Sequence, residues 1–294
     1  NRLYTDHSSF LLTYLLVNQG IMKQEPYTYS LCSAQLKDPL PKPIVISLVG
    51  GGGKTSCIFW LARQFSKNGH SVFVSTTTKM YFPEKEQADN FIFLDRDPYH
   101  QIIDKYNLFS KPGVTFGYNN IINSNNINQK NKVLGVTTKL IDKLKNDSPF
   151  TVFIIEADGA NHLPIKAPNG HEPCIPLSSD MVIGVTGAEA IHTQANPERI
   201  HRWDTFSALT LCSEGDLIDL RVLGNLIEHR QGMFKNAPEK AIKVWLINKI
   251  DLASSYQDIV LLANQIITTS NKLDAIWIAS MKNQIPIKDV LMRG

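Results

Sequence analysis

Short apolar runs recur along the chain, each followed by apolar positions spaced three and four apart. Ile44 to Val49, Val72 to Val74, Val152 to Ile155, Met181 to Thr186, Val244 to Ile247 and Ala275 to Ile278 lack polar alternation, as expected of strands buried on both faces of a parallel sheet. Between them, Ile58, Leu61, Ala62 and Phe65 form one helical stripe, ended by a left-handed cap at Asn68-Gly69. Ile259, Leu262, Ala263 and Ile266 form another, and Ser213-Glu214-Gly215-Asp216 reads as a capping box opening a helix through Leu217, Leu220 and Leu223. Strand, helix and strand in so short a span imply a crossover and parallel neighbours. The expected fold is α/β, a mainly parallel sheet flanked by helices in a Rossmann-like, three-layer arrangement.

Outside this pattern, residues 1–42 read as an appendage. Leu11, Leu12, Leu15 and Leu16 suit a short amphipathic helix, and Pro39, Pro41 and Pro43 stiffen the entry to the first strand. Residues 43–294 then form the main domain, with an irregular insert around 159–205. Asn119 to Lys132, rich in Asn, Ile and Lys, reads as a mobile surface loop.

Composition changes this picture little. The 294 residues are 43% hydrophobic and 19% charged, and a net charge of +3 is too mild to argue for nucleic acid or an anionic membrane. Phe10 to Val17 lacks the flanks of a signal peptide, and no apolar run is long enough to span a bilayer. Four cysteines (Cys32, Cys57, Cys174, Cys212) stand scattered without zinc spacing, which suits reduced thiols in a cytoplasmic protein.

The chemistry concentrates at strand ends. Ile44 to Val49 runs into Gly50-Gly51-Gly52-Gly53-Lys54-Thr55 and then a helix. Consecutive glycines let backbone N–H groups turn inward around an anion, and the helix aims its positive end at the same place. Lys54 can reach terminal phosphates and the Thr55 hydroxyl can sit on Mg²⁺, with Ser56 next in line. The strict G-x-x-x-x-G-K-[ST] pattern departs at Leu48, where a glycine is wanted. Thr76, Thr77 and Thr78 end the second strand, where ligands of parallel sheets collect, though each alone is an ordinary strand cap. Glu156-Ala157-Asp158-Gly159 tips a further buried strand, so Glu156 or Asp158 can hold Mg²⁺ or its water. Asn161 to Pro176 leaves beside the expected γ-phosphate and suits a switch or substrate loop. Its His162, His171 and Cys174 match no standard metal spacing.

At the far end, Asn248-Lys249-Ile250-Asp251 follows another buried strand. This N-K-x-D element is how P-loop GTPases choose guanine, because one carboxylate accepts from both the N1–H and the exocyclic amine. Asp251 is the reader, Lys249 the stem over the base, and Asn248 the support of the loop. Adenine lacks that donor pair. Ala279-Ser280-Met281 stands where GTPases carry a second base-contacting turn, in altered form.

Taken in order, Leu48 to Thr55, Thr76 to Lys79, Glu156 to Ala160, Leu163 to Pro168, His171-Glu172-Pro173, His201-Arg202 and Asn248 to Asp251 resemble the YqeC family. The resemblance spans about residues 44–252. It implies a cytosolic P-loop NTPase acting as an accessory protein in maturation of a selenium-dependent molybdenum hydroxylase. Parallel placement of the second strand also resembles the GTPase branch of nickel-insertion chaperones and signal-recognition proteins, which implies a nucleotide-gated homodimer. The expected activity is a slow Mg²⁺-dependent GTPase, with Gly50, Gly51, Gly52, Gly53, Lys54, Thr55 and Ser56 on the phosphates. Lys54, Glu156 and Asp158 are its expected catalytic groups, and turnover is expected to be slow because neither a water-orienting Gln nor an arginine finger can be named. Competing readings are a small-molecule kinase (GTP or ATP) whose cofactor precursor is held by Lys166, His171 and Arg202, and a non-catalytic, nucleotide-gated delivery module for an apo-hydroxylase.

Overall fold

Ile44, Ile46 and Leu48 face one side of β1 (Ile44–Gly50) and Val45 and Val49 the other, and all five are buried. A strand apolar on both faces needs cover on both. In this computed structural model, which describes residues 43–94, 98–123 and 131–293, helices supply it. Helix α1 (Lys54–Lys67) lies on the face of Ile44, Ile46 and Leu48, burying Ile58, Leu61, Ala62 and Phe65 against Val72, Val74, Val152 and Ile154. The chain continues through β2 (Ser71–Thr76), β3 (Lys79–Tyr81), β4 (Asn90–Phe93), α2 (Pro98–Ile103), α3 (Tyr106–Phe109), β5 (Gly113–Tyr118), β6 (Asn120–Ile122) and β7 (Lys132–Leu134). Helix α4 (Thr138–Asp147) and β8 (Val152–Glu156) follow, with Phe73, Phe153 and Ile155 packed beneath α4 on the second face.

The rest comprises β9 (Ile165–Lys166), β10 (Met181–Gly187), β11 (Ile200–His201), α5 (Trp203–Thr210), α6 (Leu220–Glu228), β12 (Ile242–Asn248), α7 (Tyr256–Thr269), β13 (Ala275–Ala279) and β14 (Ile287–Met292). Helices α6 and α7 cover Trp245, Ile247, Ile276 and Ile278 on that same second face. Nine strands form one sheet in the order β14-β13-β12-β10-β1-β8-β2-β5-β4, parallel except for antiparallel β14. From β1, the order runs out through β8 and β2 on one side and through β10, β12 and β13 on the other. The carboxyl end of β1 is therefore a topological switch point, where open α/β sheets leave a crevice.

Local chemistry accounts for most element ends and corrects several expectations. The Asn68-Gly69 cap forms as read, with Gly69 at φ 90° and the His70 N–H donating to Phe65 O at 3.1 Å. The helix expected to open at Ser213 begins at Leu220, where the Asp219 side chain accepts from Val222 N at 3.0 Å. Asp216 instead turns back onto Ser213 N at 2.7 Å, and Gly215 at φ 87° diverts the chain. Strands β1 and β2 are parallel but not neighbours, because β8 pairs with both. The 159–205 stretch carries β10, which lies between β1 and β12 in the centre of the sheet. Within Asn119 to Lys132, Asn120–Ile122 is a strand paired with β7, and residues 124–130 lie outside the described residues, as does the 1–42 appendage. No helix among the described residues is long and apolar enough to cross a membrane.

Phe73 anchors the second face. It is fully buried, its ring centroid lies 5.2 Å from that of Phe150 and 5.8 Å from that of Phe153, and a Cβ at Gly117 would stand 2.4 Å from its Cζ. Truncating it opens a cavity under α4 that rigid strands cannot fill. Phe73→Ala is expected to lower unfolding free energy by about 3–5 kcal/mol, read from the urea midpoint. A loss below about 1 kcal/mol would mean that this face repacks freely.

Candidate functional site

The turn after β1 is built from backbone that comes too close for side chains. A Cβ at Gly50 would stand 2.4 Å from Val185 O, at Gly51 2.5 Å from Leu163 O, and at Gly52 2.2 Å from Gly187 N. Gly50, Gly52 and Gly53 also take φ of 93°, 76° and 115°, which only glycine adopts freely. The glycines thus serve close approach of backbone. Gly50 N donates to Asp158 Oδ2 at 3.1 Å, Gly51 N to Val185 O at 2.9 Å and Gly52 N to Leu163 O at 3.0 Å. Three of the four N–H groups expected to face an anion are therefore engaged with protein. What remains is the start of α1, where Gly53 is the N-cap and no side chain caps the helix. That leaves its first N–H groups and its dipole for a ligand.

Lys54 is 5% exposed and spans the turn, donating to Gly50 O at 2.6 Å and lying 3.1 Å from Asp158 Oδ1. Burial works against its charge, but Asp158, Glu156 and Glu172 outweigh it and hold the amine above its ordinary value. Asp158 continues the chain of charges. Its Oδ2 is 3.0 Å from Lys166 Nζ, which is 2.8 Å from Glu172 Oε2, which accepts from Arg202 Nη2 at 2.7 Å. Lys166 and Arg202 come together because β9 and β11 pair in parallel, Lys166 opposite His201. Burial alone would raise the Glu172 carboxyl, yet Lys166 and Arg202 hold it below its ordinary value. The Lys166, His171 and Arg202 set thus divides. Two members are locked into this network, while His171 is exposed.

Glu156 ends β8 opposite Leu48, and its Oε2 accepts from the Thr55 hydroxyl at 3.2 Å. Burial pushes its carboxyl up, against the pull of Lys54. Two hard oxygen donors at the mouth of a glycine turn suit a small divalent cation such as Mg²⁺. Asp158, with its oxygens on Lys54, Lys166 and Gly50 N, is less free to do so. The threonines are also occupied. Thr76 donates to Glu156 O at 2.9 Å, Thr77 donates to Cys174 O at 2.6 Å, and the Thr76 hydroxyl accepts from Thr78 N at 3.0 Å. They tie β2 to β8 and to the 161–176 segment.

Across the turn, Asn248 is buried and bonded at both ends of its amide. Its Nδ2 donates to Gly52 O at 2.8 Å and its Oδ1 accepts from Met281 N at 3.0 Å. Asp251 is exposed and accepts from the Ser280 hydroxyl. Lys249, at φ 61°, pairs with Glu189. The Ala279-Ser280-Met281 turn, a weak match as sequence, is therefore bound to both ends of the N-K-x-D element. Glu189 has no sequence signal, since only the fold brings it within reach of a lysine sixty residues on.

The turn opens into a pocket of about 150 Å³ bounded by Gly51 to Thr55, Glu156 and Gly159 to Leu163 on one side and by Lys79, Met80, Tyr81 and Lys132 on the other. Among the described residues no group of three His, Cys, Asp or Glu could hold a metal ion. His162 stacks on Tyr81, and burial pushes the Cys174 thiol up, away from the reactive thiolate.

A mostly parallel nine-strand sheet covered by helices, with a strand–glycine–helix turn at its switch point and an Asn-Lys-Ile-Asp corner bonded to that turn, defines an α/β protein. The chain belongs to the YqeC family. The YqeC protein family model matches residues 46–204. The chain is also 39% identical over 208 residues to the uncharacterized protein YqeC of Escherichia coli (strain K12), covering 71% of this chain and 77% of that protein.

Glu172 offers a direct check on the charge chain. Its depressed carboxyl contributes stability above its ordinary value of 4.5 and loses it as pH falls through the lower folded value. Glu172→Gln is expected to cost about 2 kcal/mol at pH 7, and the gap to wild type should close in acid. Urea midpoints that differ equally at about pH 7 and about pH 3 would show that the ion pairs carry no stability.

Proposed function

We propose that this protein binds a purine nucleoside triphosphate with Mg²⁺ and prefers guanine. The observation that carries the reading is the Asn248 clasp, one buried amide bonded at 2.8 Å to the glycine turn and at 3.0 Å to the turn holding Asp251 through Ser280. It makes the phosphate end and the base end one rigid assembly, which a nucleotide spanning both would need. In this reading the α1 N-terminus and Lys54 take the phosphates, and Thr55 and Glu156 hold Mg²⁺, with Ser56 behind them in the first turn. Asp251 accepts from the guanine edge. Bound Mg²⁺ would supply charge neutralisation between the phosphates. Asp158 positions Lys54, and Thr76, Thr77 and Thr78 fix the strand ends around them.

The same reading makes any hydrolysis slow. Among the described residues neither Gln nor Arg lines the pocket, so none of these residues orients water or adds the charge an arginine finger supplies. A role in maturing a selenium-dependent molybdenum hydroxylase rests on the family resemblance, and a partner would supply what the pocket lacks.

Calorimetry with GTP and ATP in Mg²⁺, on wild type and Asp251→Ala, tests the base reading. GTP is expected to bind roughly 100-fold tighter than ATP, and the variant should lose about 2 kcal/mol for GTP and little for ATP. Equal affinities, or equal losses for both nucleotides, would overturn it. Single-turnover hydrolysis by the isolated protein is expected below about 0.01 per second. Turnover a hundredfold faster would mean that a catalytic group stands outside the residues named.

A further inference from the structure

The far wall of the pocket belongs to no part of the nucleotide reading, and it is basic. Among the described residues lining the pocket, Lys54, Lys79 and Lys132 bring three ammonium groups against the one carboxylate of Glu156. Lys54 is committed to Asp158 and the turn. Lys79 and Lys132 are exposed and, among the described residues, have no carboxylate within ion-pair distance.

Their convergence follows from strand geometry. Strands β3 and β7 pair antiparallel with Tyr81 opposite Lys132, so those side chains share a face. Lys79, two residues before Tyr81, shares it too. Lys132 Nζ sits 5.0 Å from the Tyr81 ring centroid, and the His162 ring stacks on Tyr81 at 5.1 Å and 29°.

His162 is held there at a conformational cost. Asn161 and His162 adopt φ of 48° and 62° in succession, a backbone state that disfavours side-chain-bearing residues. The next residues clamp the turn to the site, because Leu163 O accepts from Gly52 N and Pro164 O accepts from Gly187 N. A left-handed turn bonded to the glycine turn thus presents an imidazole to a wall carrying two ammonium groups that, among the described residues, have no carboxylate partner.

We propose that this wall binds the phosphate of a second ligand, a small phosphomonoester seated beside the terminal phosphate of the nucleotide. Two unpaired lysines match a dianion better than a single carboxylate, since lysine acts on phosphate as a compact point charge. His162 and the Tyr81 hydroxyl add donors. The site rests on the nucleotide reading only for its neighbour. It deepens that reading by giving the pocket a second occupant, whether acceptor or effector.

Pyridoxal 5′-phosphate tests it, since its aldehyde condenses with a lysine amine when its phosphate is held nearby, and borohydride fixes the adduct. The full chain, with and without Mg²⁺ and a non-hydrolysable GTP analogue, is labelled and mapped by peptide mass. Pyridoxal, which lacks the phosphate, serves as control. Lys79 or Lys132 is expected to label at least about tenfold faster with the phosphate than without it, and faster than exposed Lys67 and Lys139. Lys132→Gln should slow labelling of Lys79, and Lys79→Gln that of Lys132. Equal rates for both probes, or rates no faster than at Lys67 and Lys139, would overturn the proposal. Nucleotide affinity, measured in parallel by calorimetry, keeps the two readings apart. Selective labelling in a protein that binds no nucleotide supports this site and sinks the other, whereas nucleotide binding with unselective labelling does the reverse.

Discussion

Everything at this site depends on backbone meeting backbone without side chains between. The end of β1 runs against Val185 and Gly187 of β10 and against Leu163 of the following segment, at separations where any Cβ would collide. Hydrogen bonds from Gly51 and Gly52 then fix the approach. One consequence is rigidity, because three segments of chain cannot move independently of the turn. Another is polarity. With three of the four glycine N–H groups engaged, the remaining donors gather at the first turn of α1, which aims the helix dipole along the remaining opening. A third is that Asn248 can reach Gly52 O, which brings β12 and the Ser280 turn into the same unit.

Much of this was legible in the chain. Apolar runs of strand length, interrupted by stripes at helical spacing, betray a parallel sheet because both faces must be covered, and the strand–glycine–lysine turn is written in consecutive residues. What escaped was non-local. The Lys79, Tyr81 and Lys132 wall exists only because two three-residue strands fifty residues apart pair in one register. The order of Lys166, Glu172 and Arg202 depends on β9 lying beside β11. Ser213 looks like a cap from its neighbours, but the left-handed Gly215 redirects the chain before the helix can start. The threonines after β2 were identified as a cluster, yet their partners are backbone atoms that no side-chain pattern encodes.

On the nucleotide reading, the chain of charges from Lys54 to Arg202 answers a problem that phosphate binding would create. Buried ions contribute little net stability, but removing one partner from a buried pair is expensive because it strands the other. Lys54 is such a partner, buried against Asp158, and on the nucleotide reading it must turn toward a phosphate. Were Asp158 held by Lys54 alone, that movement would leave a bare carboxylate in the interior. Lys166 prevents this, since its ammonium sits 3.0 Å from the other carboxylate oxygen and Gly50 N donates to the same oxygen. Lys166 shares Asp158 with Lys54, Glu172 gives it a second carboxylate, and Arg202 balances Glu172 where the network nears the surface. The network therefore keeps Asp158 compensated by Lys166 and Gly50 N, which on the nucleotide reading would let Lys54 exchange between carboxylate and phosphate without stranding a buried charge.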